Sequence, residues 1–335
     1  MSLSSSPAAA GRPAPVVASV GASGRVALVV TAKDPVADGV VRLRLEAPGG
    51  LRLPDWTPGA HIDLGLPNGL TRQYSLCGDR WDPRSYEIAV LREPDGRGGS
   101  AFVHDHLAVG DGIEVGGPRN HFPLVPADRY LFVAGGIGIT PMLPMIEQAT
   151  MLDTPWSLLY GGRRRVSMAF VDRLARWGDR VTLWPQDSHG LLDLASAVDA
   201  EPSGTKIYCC GPAPLLAAVE SVCTDRPVGH LRIERFEARE QGPPVRTTGY
   251  EVELARTGTV LGIQPGDSVL DALAAAGAPV LASCRQGVCG TCETTVLAGT
   301  PDHRDSLLDE AQRRRNDCFY PCVSRSASDR LVLDL

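Results

Sequence analysis

The chain has 335 residues, of which 43% are hydrophobic and 21% charged, and carries a formal net charge of -6. That length exceeds what one core usually fills and predicts two or three domains, at roughly 100 to 200 residues each. The mild negative charge, without a basic stripe interleaved with aromatics, speaks against a nucleic-acid partner. No apolar run reaches the roughly eighteen residues of a bilayer crossing, which speaks against a membrane protein.

Residues 1–24 are rich in Ala, Ser, Pro and Gly and carry neither a basic segment before an apolar core nor Arg-rich amphipathic character. They predict a disordered tail and a cytoplasmic location. From 25 to 125, short β-branched segments (RVALVVTA, VVRLRLEA, HIDLGL, SYEIAVL, GIEVGG) are separated by Gly, Pro, Asn and Asp, which predicts an antiparallel β-barrel domain. From 126 to 238, apolar runs (RYLFVAGG, WSLLYGG, RVTLWP, KIYCCG) alternate with helix-like stretches (TPMLPMIEQATML, SMAFVDRLARW, PAPLLAAVESVC). This alternation predicts an α/β domain on a parallel sheet. Residues 239–248 are charged, then rich in Pro and Gly, and read as a linker. From 249 to 335, a hairpin pattern turning at Thr257 and Gly258, a helix opening near Asp267 and Ser268, and a Gly- and Cys-rich loop predict a small third domain.

The nine cysteines are odd in number and unevenly spaced, unlike a disulfide framework. Cys77 and Cys223 lie in apolar surroundings and read as small buried hydrophobes. In ASCRQGVCGTCE, Cys284, Cys289 and Cys292 have the C-x4-C-x2-C spacing of a plant-type 2Fe-2S loop. Gly287, Gly290 and Thr291 between them let backbone amides approach the sulfurs. Structural zinc is the competing reading, but such sites favour paired short spacings, and here one arm is a glycine-bearing x4 arm. Two candidates for a fourth ligand, Cys318 and Cys322, follow in DCFYPCVSR.

A hydride carries two electrons and a 2Fe-2S cluster accepts one, so a nicotinamide donor would need a flavin between them. RQYSL (72–76) offers a guanidinium for a phosphate, an aromatic to line a flavin, and a hydroxyl near its ring edge. GRGGS (96–100) has the composition of a second phosphate cradle. GGIGITP (135–141) follows a strand and opens a helix, and YCCGP (208–212) ends a later strand, without the GxGxxG fingerprint.

The order of these motifs resembles the phthalate dioxygenase reductase family, which includes vanillate O-demethylase reductases, from about Arg25 to the end. The resemblance implies a β-grasp fold for the ferredoxin domain and FMN as the flavin. It places FMN contacts at Arg72, Gln73, Tyr74, Ser75, Ala89, Val90, Gly98, Gly99, Ser100 and Thr140, with Phe236 of ERFEA beside the flavin. NAD(P)H would be bordered by Gly136, Gly138, Thr140, Pro141 and Gly211, with Cys210 near the nicotinamide ring and Cys209 inert. Arg163 and Arg164, in the run Arg163 to Arg165, would lie by the adenosine ribose, as a phosphate receptor or a solvated basic turn; NADH or NADPH stays open. CVSR resembles the fourth-ligand segment, which implies Cys284, Cys289, Cys292 and Cys322 as cluster ligands and Cys318 as a buried spectator.

The implied function is the reductase component of an oxygenase system: hydride to FMN, then single electrons through the cluster to a separate Rieske or haem-thiolate oxygenase. Ser75, Cys210 and Phe236 would act at the flavin, and the chain would be a monomer. A relay without nicotinamide chemistry conflicts with GGIGITP and YCCGP. A self-contained flavin oxygenase lacks any evident 2-His-1-carboxylate or haem-type Cys set among seven histidines. Asp302, Asp305, Asp309 and Glu310 would either form an acidic face that steers the partner or solvate a helix beginning near Ser306.

Overall fold

The computed structural model describes residues 24–227 and 229–335. The tail expected over 1–24 lies outside them except for Gly24. In β1 (Arg25–Ala37), Val26, Leu28 and Val30 are buried and their neighbours are less so, the period-two pattern of a strand with one face on a core. It joins β2 (Val40–Glu46), β3 (His61–Gly65), β4 (Thr71–Ser75), β5 (Ser85–Leu91) and β6 (Gly112–Arg119) in the antiparallel order β4-β3-β6-β1-β2-β5. A bridge between Leu76 and Ile88 links the two edges and closes the barrel. A short helix, α1 (Gly99–Asp105), follows β5.

The second sheet is parallel throughout. It contains β7 (Tyr130–Gly135), β8 (Trp156–Gly162), β9 (Val181–Pro185), β10 (Lys206–Cys210) and β11 (Leu231–Glu234) in the order β11-β10-β7-β8-β9. All six residues of β7 are buried, as expected of a central strand covered on both faces. Helices α2 (Ile139–Met151) and α3 (Ala213–Val222) follow β7 and β10. Strand order reverses between β7 and β10, so a ligand crevice opens at their carboxyl ends. Over SMAFVDRLARW the helix opens only at Val171, because Phe170 takes a left-handed φ of 62° that a continuous helix cannot contain, and after one α-turn, Val171–Leu174, the chain tightens into a 3-10 helix at Ala175–Arg180.

The third sheet is mixed: β12 (Tyr250–Leu254), β13 (Thr259–Ile263), β14 (Thr294–Ala298), β15 (Cys318–Phe319) and β16 (Arg330–Leu333), in the order β13-β12-β16-β14-β15. β12 and β16 run parallel and the other pairs antiparallel, a β-grasp arrangement. The hairpin turns at Gly258, where φ is 70°. Ser268 caps α4 (Val269–Ala275) by accepting from the Asp271 amide.

The acidic segment departs from expectation. Asp305 is fully buried and Asp302 nearly so, so neither belongs to an exposed acidic face. Asp305 Oδ2 accepts from the Leu307 and Leu308 amides at 3.0 and 2.8 Å, holding a turn where a helix was expected. The helix, α5 (Glu310–Arg315), starts later, at a capping box of Asp309 and Gln312. No helix among the described residues is long and apolar enough to cross a membrane.

Candidate functional site

β4 carries RQYS. The Arg72 guanidinium donates to Arg97 O at 2.8 Å, and a Cβ on Gly99 would lie 2.6 Å from the Arg72 Cγ and Nε. Gly99 therefore exists to let that side chain cross the start of α1. Gly98 precedes it at φ 78°, and the Ser100 hydroxyl accepts from the Glu93 amide at 3.1 Å. Burial, then the charge of Arg97, pushes the Arg72 pKa down, so an anion beside it would offset a real cost. Burial pushes the Tyr74 phenol up to about 12 and keeps it neutral. These groups fit a flavin phosphate and ring. Gln73, one position along the strand, spends its amide on Asp63 Oδ1 and Ser283 Oγ, leaving its backbone for a cofactor. Val90 points into the barrel core, and Ala89 into the core shared with the parallel sheet, so only their backbones face outward.

The two glycine loops meet at the β7–β10 crevice. A Cβ on Gly138 would lie 2.2 Å from Cys210 O, and one on Gly211 would lie 3.0 Å from Gly135, so the loops touch through backbone. Gly136 takes φ 53° between them. Thr140 donates to Ile137 O at 2.9 Å, and it and Pro141 are buried at the start of α2. Arg163 and Arg164 are exposed, and Arg164 pairs with Asp38 of the barrel at 3.0 Å.

Sequence reasoning missed Glu234. Its Oε2 faces the Ser75 hydroxyl at 3.5 Å and the Cys210 thiol at 3.8 Å, joining β4 to the crevice. Burial pushes the Glu234 carboxyl up to about 8, and burial, then Glu234, pushes the Cys210 thiol well above its usual value. At neutral pH the three groups carry their protons. The one signal was an acid closing the strand LRIE two residues before Phe236, which is 42% exposed.

In the third domain, Cys289 lies within hydrogen-bonding reach of Cys284, and Cys292 of Cys322, which also reaches Cys284. Four thiols gathered at one loop suit a metal centre, and their C-x4-C-x2-C spacing is that of a 2Fe-2S cluster. The Gln286 amide donates to Cys284 Sγ at 3.3 Å, and Thr291 Oγ1 lies 3.1 Å from Cys289 Sγ. Gly287 and Gly290 take φ near 70° to wrap the loop. Cys318 sits on β15 beside acidic side chains, apart from these four and half-buried where a buried thiol was expected.

The loop rests on the barrel. His61 Nε2 lies 3.1 Å from Cys289 O, and the His121 ring packs against Gly290. Burial, then Arg119 and His121, pushes His61 down to about 4, so its imidazole is neutral; since a carbonyl can only accept, Nε2 carries the hydrogen.

Comparison with known proteins bears on the family and the fold. A family described as oxidoreductase NAD-binding domain matches residues 132–221, and one described as 2Fe-2S iron-sulfur cluster binding domain matches 252–327. Phenoxybenzoate dioxygenase subunit beta of Ectopseudomonas oleovorans is 46% identical over 89% of this chain and 94% of its own. The solved phthalate dioxygenase reductase, described as a modular structure for electron transfer from pyridine nucleotides to [2Fe-2S], is 36% identical. It matches 93% of this chain and 98% of its own, with a TM-score of 0.68. An intact type IV self-sufficient cytochrome P450 monooxygenase matches 92% of this chain with 41% of its own, at 39% identity and a TM-score of 0.88. On motif order, domain geometry and these likenesses, the chain belongs to the phthalate dioxygenase reductase family, NAD(P)H-dependent reductase components of oxygenase systems with a 2Fe-2S domain.

Proposed function

We propose that the chain, acting as a monomer in the cytoplasm, moves electrons from NAD(P)H through FMN and the 2Fe-2S centre to a separate Rieske or haem-thiolate oxygenase. Residues 25–125 would hold FMN, 126–238 the nicotinamide, and 249–335 the cluster, with 239–248 as linker. One observation carries this reading: a single rung of the β3–β4 ladder pairs Ser75 with His61. Ser75 faces Glu234 of the nicotinamide side, and His61 faces Cys289 of the cluster side.

FMN supplies the conversion from a two-electron to a one-electron carrier. Arg72, with Gly99 beneath it and the Gly98 to Ser100 backbone beside it, would hold its phosphate; Tyr74 and Phe236 would line its ring. Ser75 would present its hydroxyl at the hydride-accepting edge. Glu234 and Cys210, both protonated, keep negative charge out of the place where it would oppose hydride arrival. Gly136, Gly138, Thr140, Pro141 and Gly211 would border the nicotinamide, and Arg163 and Arg164 the adenosine end. Cys284, Cys289, Cys292 and Cys322 would ligate the irons.

Denaturing the purified protein and identifying what is released tests the cofactor set. FMN, two irons and sulfide per chain are expected; FAD, or zinc without iron and sulfide, would sink it. The support for either oxygenase class is that a dioxygenase subunit and a P450 fusion both stand among the relatives.

A further inference from the structure

The barrel and the parallel sheet share apolar core: Val40, Cys77, Ala89 and Phe122 of the barrel pack with Phe132, Met142 and Tyr208. The third domain differs. Among the described residues its apolar cluster, from Tyr250 and Val252 to Leu331 and Leu333, takes no member from elsewhere. Polar contacts therefore hold the cluster loop on the barrel, and two of them flank the x4 arm. Gln73 Nε2 donates to Ser283 Oγ at 2.6 Å, next to Cys284, and His61 Nε2 donates to Cys289 O at 3.1 Å.

The barrel ends of these contacts are tied together. His61 pairs with Ser75 and Asp63 with Gln73 across the β3–β4 ladder. Asp63, fixed by Arg119 at 2.6 Å, accepts the other Gln73 hydrogen at 2.8 Å, so the amide is oriented before the loop meets it. Behind the loop, a Cβ on Gly290 would lie 2.0 Å from His121 Nε2, which leaves the loop no room to slide toward the barrel.

We infer that His61 and Gln73 are positioning residues that hold the cluster loop in register with the flavin strand, leaving one cross-strand step and one hydrogen bond between Ser75 and Cys289. The inference rests on the proposed flavin-to-cluster route. It assigns no redox role to either side chain; it assigns them the distance over which the electron crosses.

The test uses the holoprotein with His61→Ala, His61→Gln and Ser283→Ala, each checked for iron content. Amide hydrogen exchange over residues 283–292 and the rate of cluster reduction after anaerobic mixing with NADH are both read. His61→Ala should raise exchange in the loop and slow cluster reduction several-fold, because a loosened loop lengthens the gap the electron crosses. His61→Gln, which keeps an N–H at similar reach, should restore both, and small-dye reduction should stay at the wild-type rate in all three. If His61→Ala leaves the transfer rate unchanged, whether or not exchange rises, the inference is wrong. Should that variant lose its cluster, Ser283→Ala decides by the same two readings. A wild-type cluster that neither NADH nor NADPH reduces would instead overturn the route itself.

Discussion

Glu234 links Ser75 to Cys210, and its raised pKa has a consequence for stability. An unfolded carboxyl titrates near 4.5 and this one near 8, so the native state binds an extra proton between those values. Its contribution is fully present below about 4.5, falls as pH rises, and is lost once pH passes about 8. Glu234→Gln removes that decline: between about pH 5 and pH 8 the variant's Tm should fall less with pH than the wild type's. Parallel Tm profiles would contradict the assignment. At the other end of β4, Gly99→Ala puts a Cβ where the Arg72 side chain lies. Displacing a guanidinium from a phosphate should raise the Kd for FMN roughly tenfold or more, measured by flavin fluorescence, with an unchanged Kd removing Arg72 from the site. The sequence showed Arg72 and Ser75 because they sit in a spaced motif. It hid Glu234 and His61 because a lone acid or imidazole at a strand end looks the same whether it meets solvent or another domain.

At the scale of elements, alternation in β1 and the continuous apolar run of β7 were legible because each is set by which faces are covered. The segment 302–310 was not, because charge alone does not distinguish a solvated carboxylate from one that satisfies buried amides. Asp305→Ala leaves the Leu307 and Leu308 amides without their acceptor. It should cost about 1 to 2 kcal/mol in denaturant unfolding, the scale of a lost cap. A wild-type midpoint would contradict the buried reading. The two candidates for the fourth ligand separate in the same domain. Cys322→Ser should abolish the visible and EPR signatures of the cluster, and Cys318→Ser should leave them; the reverse pattern would move the ligand to β15.

Across the whole molecule, the order of motifs identified three functions in one chain, but not how they meet. Contacts such as His61 to Cys289 span 228 residues of sequence, and no local pattern encodes them. The β3–β4 ladder is where the three sheets' domains converge, with Glu234 and Cys210 on one side and the cysteine loop on the other. Inter-domain contacts made of polar groups are exchangeable, so the cluster domain should be able to leave the barrel without breaking any core. The most direct measurement is anaerobic stopped-flow mixing with NADH, following flavin absorbance and the cluster signal in wild type and in Cys289→Ser. The account predicts flavin bleaching followed by cluster reduction in wild type, and flavin bleaching at the same rate with no cluster signal in the variant. Cluster reduction that precedes or bypasses the flavin, or loss of flavin bleaching in Cys289→Ser, would contradict it.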